Sequence, residues 1–149
     1  MSTYTEKVGE KLNDLLEKTY DAEKGYSKAA ENTDHALLKA FFERKSKERK
    51  NFGNTLKTEI HGFGEKADEG GSVTGAAHRT WMDIKAFFSA DSPEAMLEEA
   101  IRGEKAAVEE YEDVLSETSL PSSTSKILTD QMHQIKADLN RIKRLEDLR

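Results

Sequence analysis

Apolar residues recur every three or four positions along most of the chain, the spacing of one buried face on an α-helix. Short polar turns and one long glycine-rich stretch interrupt this pattern. It predicts a single domain over 1–149, with a crossover at 62–92 that contains a short helix at about 76–88. The four long helices are predicted at about 3–30, 33–61, 93–117 and 122–148.

Local signals mark the helix ends. The Asn32-Thr33-Asp34 segment predicts a turn and an N-cap before the second helix. Glycines at positions 62 and 64 predict the end of that helix. Pro121 predicts that the fourth helix begins directly after it.

The connection lengths indicate how the helices are wired. The first and last connections are short, so each joins an antiparallel hairpin, whereas the middle connection is about 30 residues long. Two hairpins joined by one long crossover are typical of a ferritin-like four-helix bundle. The predicted fold class is therefore all-α and ferritin-like, with a generic bundle carrying an inserted helix as the alternative.

Composition narrows the function classes. Charged residues make up 35% of the chain and the net charge is −6, which argues against binding to nucleic acid. Cysteine is absent, which excludes disulfides and thiolate metal sites. Without an apolar signal core or a run of about 18 apolar residues, we expect a cytoplasmic protein with no membrane span.

One carboxylate interrupts the predicted core. Helical phase places Glu104 at the centre of the apolar stripe of the third helix, where a charge must be paired, protonated or metal-bound. The same phase puts Thr19 at the centre of the first helix and Lys45 and Arg49 on the inner line of the second. The fourth helix adds Gln131 inside its stripe.

A di-iron carboxylate bundle takes one Glu from each of two helices and Glu-x-x-His from each of the other two. Of the equivalent positions in this chain, only Glu104 keeps a ligand, and Arg49 places a cation where a metal would lie. We therefore predict no cofactor and a buried ionic network in place of the di-iron site. The predicted polar centre consists of Glu104, Arg49, Lys45, Thr19, Gln131 and Tyr111.

The alternative is a relocated site for iron or another divalent metal. Its candidate ligands are Glu23, Glu48, Glu104 and Asp138. An Asp-x-x-His pair, Asp130 and His133, falls opposite the apolar stripe, so we do not expect it to bind metal.

Several segments resemble a known family. Over essentially its whole length the chain is similar to an uncharacterised bacterial ferritin-like four-helix-bundle family of conserved hypothetical proteins with a domain of unknown function. The resemblance implies a ferritin-like bundle in a bacterial cytoplasm and supplies no reaction. The segments that carry it are 12–16, 21–26, His78-Arg79-Thr80-Trp81-Met82-Asp83-Ile84-Lys85, and Arg102-Gly103-Glu104 followed by Tyr111.

The favoured function is a non-enzymatic helical protein that acts through an unidentified protein partner, in a stress-related or envelope-related setting. The alternatives are a metal-binding or di-iron oxidase-type protein with relocated ligands, and a homo-oligomer whose interface is its function. Trp81, Phe87 and Phe88 are expected to pack the crossover helix over the bundle, with a partner-binding patch as the alternative.

Overall fold

The computed structural model describes residues 4–67, 92–117 and 119–148. Within these ranges the chain is all-α, as predicted, and the predicted crossover helix at 76–88 lies outside them. The helices are α1 Tyr4–Glu31, α2 Ala36–Gly62, α3 Pro93–Glu117, α4 Ser122–Arg141 and the short 3₁₀ helix η1 Leu145–Asp147.

The start of α2 differs from the prediction. The N-cap is His35 rather than a residue of the Asn32-Thr33-Asp34 segment, and its Nδ1 accepts a hydrogen bond from the Leu38 amide at 3.2 Å. The imidazole nitrogen thus takes the part that a side-chain oxygen of Ser, Thr, Asp or Asn plays at most helix starts. Thr33 supports the turn by accepting from the His35 amide at 3.2 Å. The predicted glycine stop is confirmed, since α2 ends at Gly62.

The fourth helix is shorter than predicted, because α4 ends at Arg141 rather than near residue 148. The backbone is extended at Ile142, and the Asp147 carboxylate accepts hydrogen bonds from the Lys143 and Arg144 amides at 2.9 and 3.1 Å. A side chain that bonds nearby amides in this way competes with helix formation. The turn lets Ile142 and Leu148 be buried in the core.

All four long helices contribute to one hydrophobic cluster. The spacing of apolar residues along the second helix includes Leu37, but Leu37 is 49% exposed while its neighbour Leu38 is fully buried. Successive helical residues lie about 100° apart, and here Leu37 falls on the solvent side of α2. Phe42, which the helical pattern did not single out, is fully buried and packs against Phe41 and Tyr26.

The α2 and α4 helices run antiparallel, in a register that polar contacts define. Three contacts join the two helices, and residue numbers rise by seven along α2 as they fall by seven along α4. We call these contacts the polar rungs: Lys45 Nζ with Asp138, the Phe52 carbonyl with the Gln131 amide, and Glu59 with the Thr124 hydroxyl.

The other helix pairs complete the wiring. The α1 helix runs antiparallel to α2, to which a short turn joins it, and Ser46 bonds the Glu23 carbonyl between them. It also runs antiparallel to α3, because the Tyr4 hydroxyl donates to the Ser119 carbonyl just past the end of α3 while Lys18, further along α1, pairs with Glu110. Because α2 and α3 are both antiparallel to α1, they run parallel to each other. The end of α2 and the start of α3 therefore lie at opposite ends of the molecule.

A buried ionic network as the candidate functional site

Glu104 lies in the interior between two cations from α2. Its carboxylate is 3% exposed, and its two oxygens have different partners. Oε1 accepts from Arg49 Nη2 at 2.5 Å, and Oε2 lies 3.0 Å from Lys45 Nζ. Arg49 is 2% exposed and Lys45 is fully buried, so both cations have exchanged water for carboxylate partners. We call Lys45, Glu48, Arg49, Glu104 and Asp138 the ionic network.

Lys45 is the hub of the ionic network. Its ammonium contacts Glu48 one helical turn along α2, Glu104 on α3 and Asp138 on α4, at 2.8, 3.0 and 2.8 Å. An ammonium group carries three protons to donate, so three carboxylate oxygens match its hydrogen-bonding capacity. Carboxylates from three different helices therefore meet at one buried nitrogen.

Each of these carboxylates also has a partner other than Lys45. Arg49 Nη1 bonds Glu48 Oε1 at 2.9 Å. At the rim of the network, Arg44 and Arg141 reach Asp138 Oδ1 at 3.3 and 3.0 Å. Their side chains are 46% and 62% exposed, so solvent weakens these two contacts.

Aromatic rings flank the Arg49 guanidinium. Its central carbon lies 5.9 Å from the Tyr26 ring centroid and 5.8 Å from the Phe52 ring centroid. An arginine is attracted to the negative face of an aromatic ring at such distances. The Tyr26 side chain also interacts with Glu104 and helps to lower the pKa of that carboxylate.

The surrounding charges keep Glu104 and Asp138 ionised. Burial by itself would raise the pKa of Glu104, but the nearby charges of Arg49 and Lys45 outweigh burial and hold that pKa below its ordinary value. Burial also opposes ionisation of Asp138, yet Lys45 and Arg44 lower the pKa of Asp138 to about 2. Glu104 and Asp138 are therefore ionised at neutral pH.

Two buried phenols stay neutral. Burial is the main cause that raises the pKa of Tyr26 and of Tyr111 above the usual range, and the negative charge of Glu104 adds to it. The Tyr111 hydroxyl donates to Gln131 at 2.7 Å, and Gln131 donates to the Phe52 carbonyl at 3.4 Å. These groups form a neutral polar layer beside the ionic network.

A family model described as "Domain of unknown function (DUF2383)" matches residues 7–117. The chain belongs to this family. The matched range holds Lys45, Glu48, Arg49 and Glu104, while Gln131 and Asp138 on α4 lie beyond it. No curated protein matches the chain.

The six residues of the predicted polar centre are all buried. Lys45, Arg49 and Glu104 are in direct contact, and Tyr111 and Gln131 bond each other. Thr19 donates to the Leu15 carbonyl at 2.8 Å and also contacts the Tyr111 hydroxyl. Thr19 therefore belongs to the neutral polar layer of this DUF2383 protein and not to the ionic network.

Sequence reasoning missed three contributors to the network: Arg44, Arg141 and the hydroxyl of Tyr26. Helical phase puts both arginines on outer faces, and their long side chains fold back to Asp138. The sequence did indicate the Arg141 contact, because Arg141 follows Asp138 by three residues and such residues are neighbours on a helix. Helical periodicity treats a tyrosine such as Tyr26 as an apolar residue and gives no sign of the hydroxyl that its ring carries.

The candidate metal ligands are only partly brought together. Glu48, Glu104 and Asp138 converge, but on the Lys45 ammonium. Glu23 is partly exposed and lines a groove between α1 and α2. Asp130 and His133 are exposed on the outside of α4, as their phase indicates. Across residues 4–67, 92–117 and 119–148, no group of three or more His, Asp or Glu side chains is arranged to hold a metal ion.

None of the helices in these ranges is long and apolar enough to cross a membrane.

Proposed function

We propose that this DUF2383 protein is a ferritin-like four-helix bundle of the cytoplasm that has no reaction of its own and acts by binding other proteins. The helix directions support the ferritin-like assignment, because α2 and α3 run parallel and are joined by a long connection. The observation that carries the proposal is the pair of buried cations at Glu104.

Those cations take the place of a metal in the electrostatics of the interior. In di-iron bundles, inward carboxylates are neutralised by the metals that they bind. Here Arg49 and Lys45 neutralise Glu104 through direct contacts at 2.5 and 3.0 Å. A carboxylate already paired on both oxygens has little left to offer a second cation.

The space beside the network is too small for a substrate. A cavity of about 10 Å³ lies against Arg49, Thr19 and Tyr111. That volume corresponds to about one water molecule. An interior that is filled by ion pairs and neutral hydrogen bonds favours a structural role for the network, in which it selects how the helices pair.

The outer faces favour assembly with a second copy as a second candidate function. The exposed face of α3 is mainly acidic, and that of α2 is mainly basic, so the α3 face of one copy is complementary to the α2 face of another. The exposed acidic residues on α3 are Glu94, Glu98, Glu109, Glu112 and Asp113, against Arg102 and Lys105. The exposed basic residues on α2 are Lys39, Arg44, Lys47 and Lys50, against Glu43.

The first experiment measures the metal content of protein purified without a chelator or an affinity tag, followed by titration with Fe(II), Mn(II) and Zn(II). The expected result is no stoichiometric metal in any titration. Stoichiometric metal that is lost in Glu104→Ala would overturn the proposal and favour the relocated metal site.

Assembly is tested by light scattering on a sizing column at ionic strengths of about 0.01 M and about 1 M, where charge interactions reach about 30 Å and about 3 Å. A mass that falls towards the monomer at high salt supports assembly through the charged faces. A monomer at both ionic strengths rejects the second candidate and leaves binding to a different protein.

A further inference from the structure

A groove of about 710 Å³ lies between α1 and α2 on the surface of the bundle. Small side chains form its floor, Ser27 and Ala30 from α1 and Ser46 from α2. Because the distance between packed helices depends on the side chains at their contact, such a floor allows another helix to approach closely. The α1 side of the groove carries Glu23 and Glu31. The α2 side is mainly basic, with Lys39, Glu43, Arg44, Lys47 and Lys50.

The exposed face of α3 matches the α2 side of this groove in charge and in spacing. On α2, two exposed lysines and the exposed glutamate between them are separated by four and seven residues. On α3, two exposed glutamates and an exposed lysine between them are separated by seven and four residues. These intervals keep each set on one side of its helix, over about 16 Å. An antiparallel α3 from a second copy would therefore set three opposite charges against the groove. The pairs are Lys39 with Glu109, Glu43 with Lys105, and Lys50 with Glu98.

The antiparallel direction is favoured over the parallel one. In a parallel approach the same intervals would place Arg102, and not Lys105, against Glu43 of the other copy. Arg102 already pairs with Glu99 on its own helix. Using Lys105 leaves that pair intact, so we expect the incoming α3 to lie antiparallel to α2.

The groove and the α3 face point to different sides of the bundle. The α1 helix packs against both α2 and α3, and α4 also packs against both. The α2 and α3 helices therefore occupy diagonal corners, and their outer faces point in opposite directions. Two copies cannot form the groove contact in both directions at once. A pair joined by one such contact keeps an open groove at one end and a free α3 face at the other.

We propose that the groove between α1 and α2 binds the α3 helix of a second copy, and that this contact joins chains head to tail, so that assembly continues beyond a dimer. The inference rests on the second candidate function, assembly through the charged faces, and names the surfaces that meet. Since exposed charges dominate the contact, it is weak and sensitive to salt. The mean size of the assembly therefore depends on protein concentration.

The test is light scattering on a sizing column at an ionic strength of about 0.01 M, over a range of protein concentrations. We expect the mass of the parent chain to exceed that of a dimer as its concentration rises. Two neutral variants separate the surfaces: Lys39→Gln with Lys50→Gln in the groove, and Glu98→Gln with Glu109→Gln on α3. Each variant alone is expected to be a monomer, because one of its two surfaces is lost. An equal mixture of the two is expected to form a dimer that does not grow, since one productive contact remains.

The matched control is Lys7→Gln with Lys11→Gln, which removes two exposed lysines near the start of α1, away from the groove. It changes the net charge by as much as the groove variant does and is expected to assemble like the parent chain. All of these substitutions are at exposed positions, so the helical circular dichroism of each variant should equal that of the parent.

Exchanging two charges tests the antiparallel pairing. Glu43→Lys and Lys105→Glu each set like charges opposite each other, so each alone is expected to lower the mean mass at a given concentration. The chain that carries both substitutions is expected to recover the mass of the parent. A double variant that assembles no better than the single variants would overturn this pairing.

The inference is overturned if the parent chain stops at a dimer, if the groove variant or the α3 variant assembles like the parent, or if their mixture stays monomeric. These results leave assembly itself standing, through other surfaces. A parent chain that is monomeric at every concentration rejects the second candidate function and this inference with it, so the two failures are distinguishable.

Discussion

The core contains two regions of opposite chemistry along the same helices. One is the ionic network around Lys45, and the other is an apolar layer of fully buried residues, Val8, Leu12, Leu56, Ile60 and Leu128. Burial of apolar area stabilises the apolar layer and depends little on direction. The ionic network gains little net stability from burial, because desolvation offsets much of the attraction, but its contacts form in only one arrangement. The comparison indicates that one region supplies the stability and the other selects the pairing.

The largest effect is expected from breaking the ionic network on one side. Arg49→Met leaves the Glu104 and Glu48 oxygens without their guanidinium while both stay in the interior. We expect the free energy of unfolding to fall by about 3–5 kcal/mol, because a buried charge loses its partner. Denaturant titration followed by circular dichroism measures it.

The control is Arg102→Met, which removes an exposed arginine from a surface pair with Glu99 and should cost less than about 1 kcal/mol. Adding Glu104→Leu to Arg49→Met removes both charges and is expected to recover about 2 kcal/mol or more. Additive losses in the double variant would contradict direct coupling between the two residues.

A change in the apolar layer should have a similar or smaller effect, of different origin. Leu56→Ala is expected to lower the free energy of unfolding by about 2–5 kcal/mol, through lost burial and the cavity that remains. Thr55→Ala, at the exposed neighbouring position, is the matched control and should change it by less than about 0.5 kcal/mol. Removing a charged residue should not recover the loss from Leu56→Ala, whereas Glu104→Leu recovers part of the loss from Arg49→Met.

Acid should weaken the ionic network and leave the apolar layer unaffected. The pKa of Asp138 is about 2 in the folded protein, below its value of about 3.9 in an unfolded chain. The unfolded chain therefore takes up the proton first as pH falls, so this stability is full above about pH 5 and is lost towards pH 2. Solvent weakens the contacts of the rim arginines, so the expected loss in the free energy of unfolding is on the order of 1–2 kcal/mol.

The measurement is denaturant titration at several pH values between about 7 and 3, with Asp138→Asn as the comparison. The lowered pKa of Glu104 contributes in the same direction, so Asp138→Asn should flatten the profile in part. An identical acid profile in the parent chain and in Asp138→Asn would show that Asp138 contributes nothing to it.

The smallest expected effect lies at the boundary between the two regions. Gly53 is buried within α2, and a Cβ there would lie 3.6 Å from Leu16 and Tyr20, an ordinary contact distance. Gly53→Ala is therefore expected to stabilise the protein by about 0.5–1 kcal/mol through helix propensity. Gly64→Ala is the contrast, because Gly64 has φ of +76° and alanine there should destabilise by about 1 kcal/mol. A melting temperature that fails to rise in Gly53→Ala would indicate a seam between α1 and α2 too tight for a methyl group.

Helical phase accounts for what the sequence predicted well. The turn of about 100° per residue was enough to place Glu104, Lys45 and Arg49 in the interior, because that depends only on the regular backbone. Phase could not show that Arg44 folds back to Asp138, since a long flexible side chain can reach several places from one backbone position.

Side chains that bond nearby backbone amides explain why the end of α4 and the N-cap of α2 were predicted wrongly. The periodic pattern of α4 continues past Arg141, and nothing in that pattern shows that the Asp147 carboxylate bonds the amides of Lys143 and Arg144. The His35 cap was overlooked because capping statistics favour the residue types of the preceding Asn32-Thr33-Asp34 segment over histidine.

The seven-residue spacing of the polar rungs between α2 and α4 has a consequence for how the chain finds its fold. Sliding α4 by one repeat, about 10 Å, would again match apolar positions with apolar positions. It would also set Asp138 opposite Phe52 or Leu38, away from the Lys45 ammonium. A misaligned collapsed state would therefore leave Lys45 without its α4 carboxylate, and we expect it to open again rather than persist as a kinetic trap.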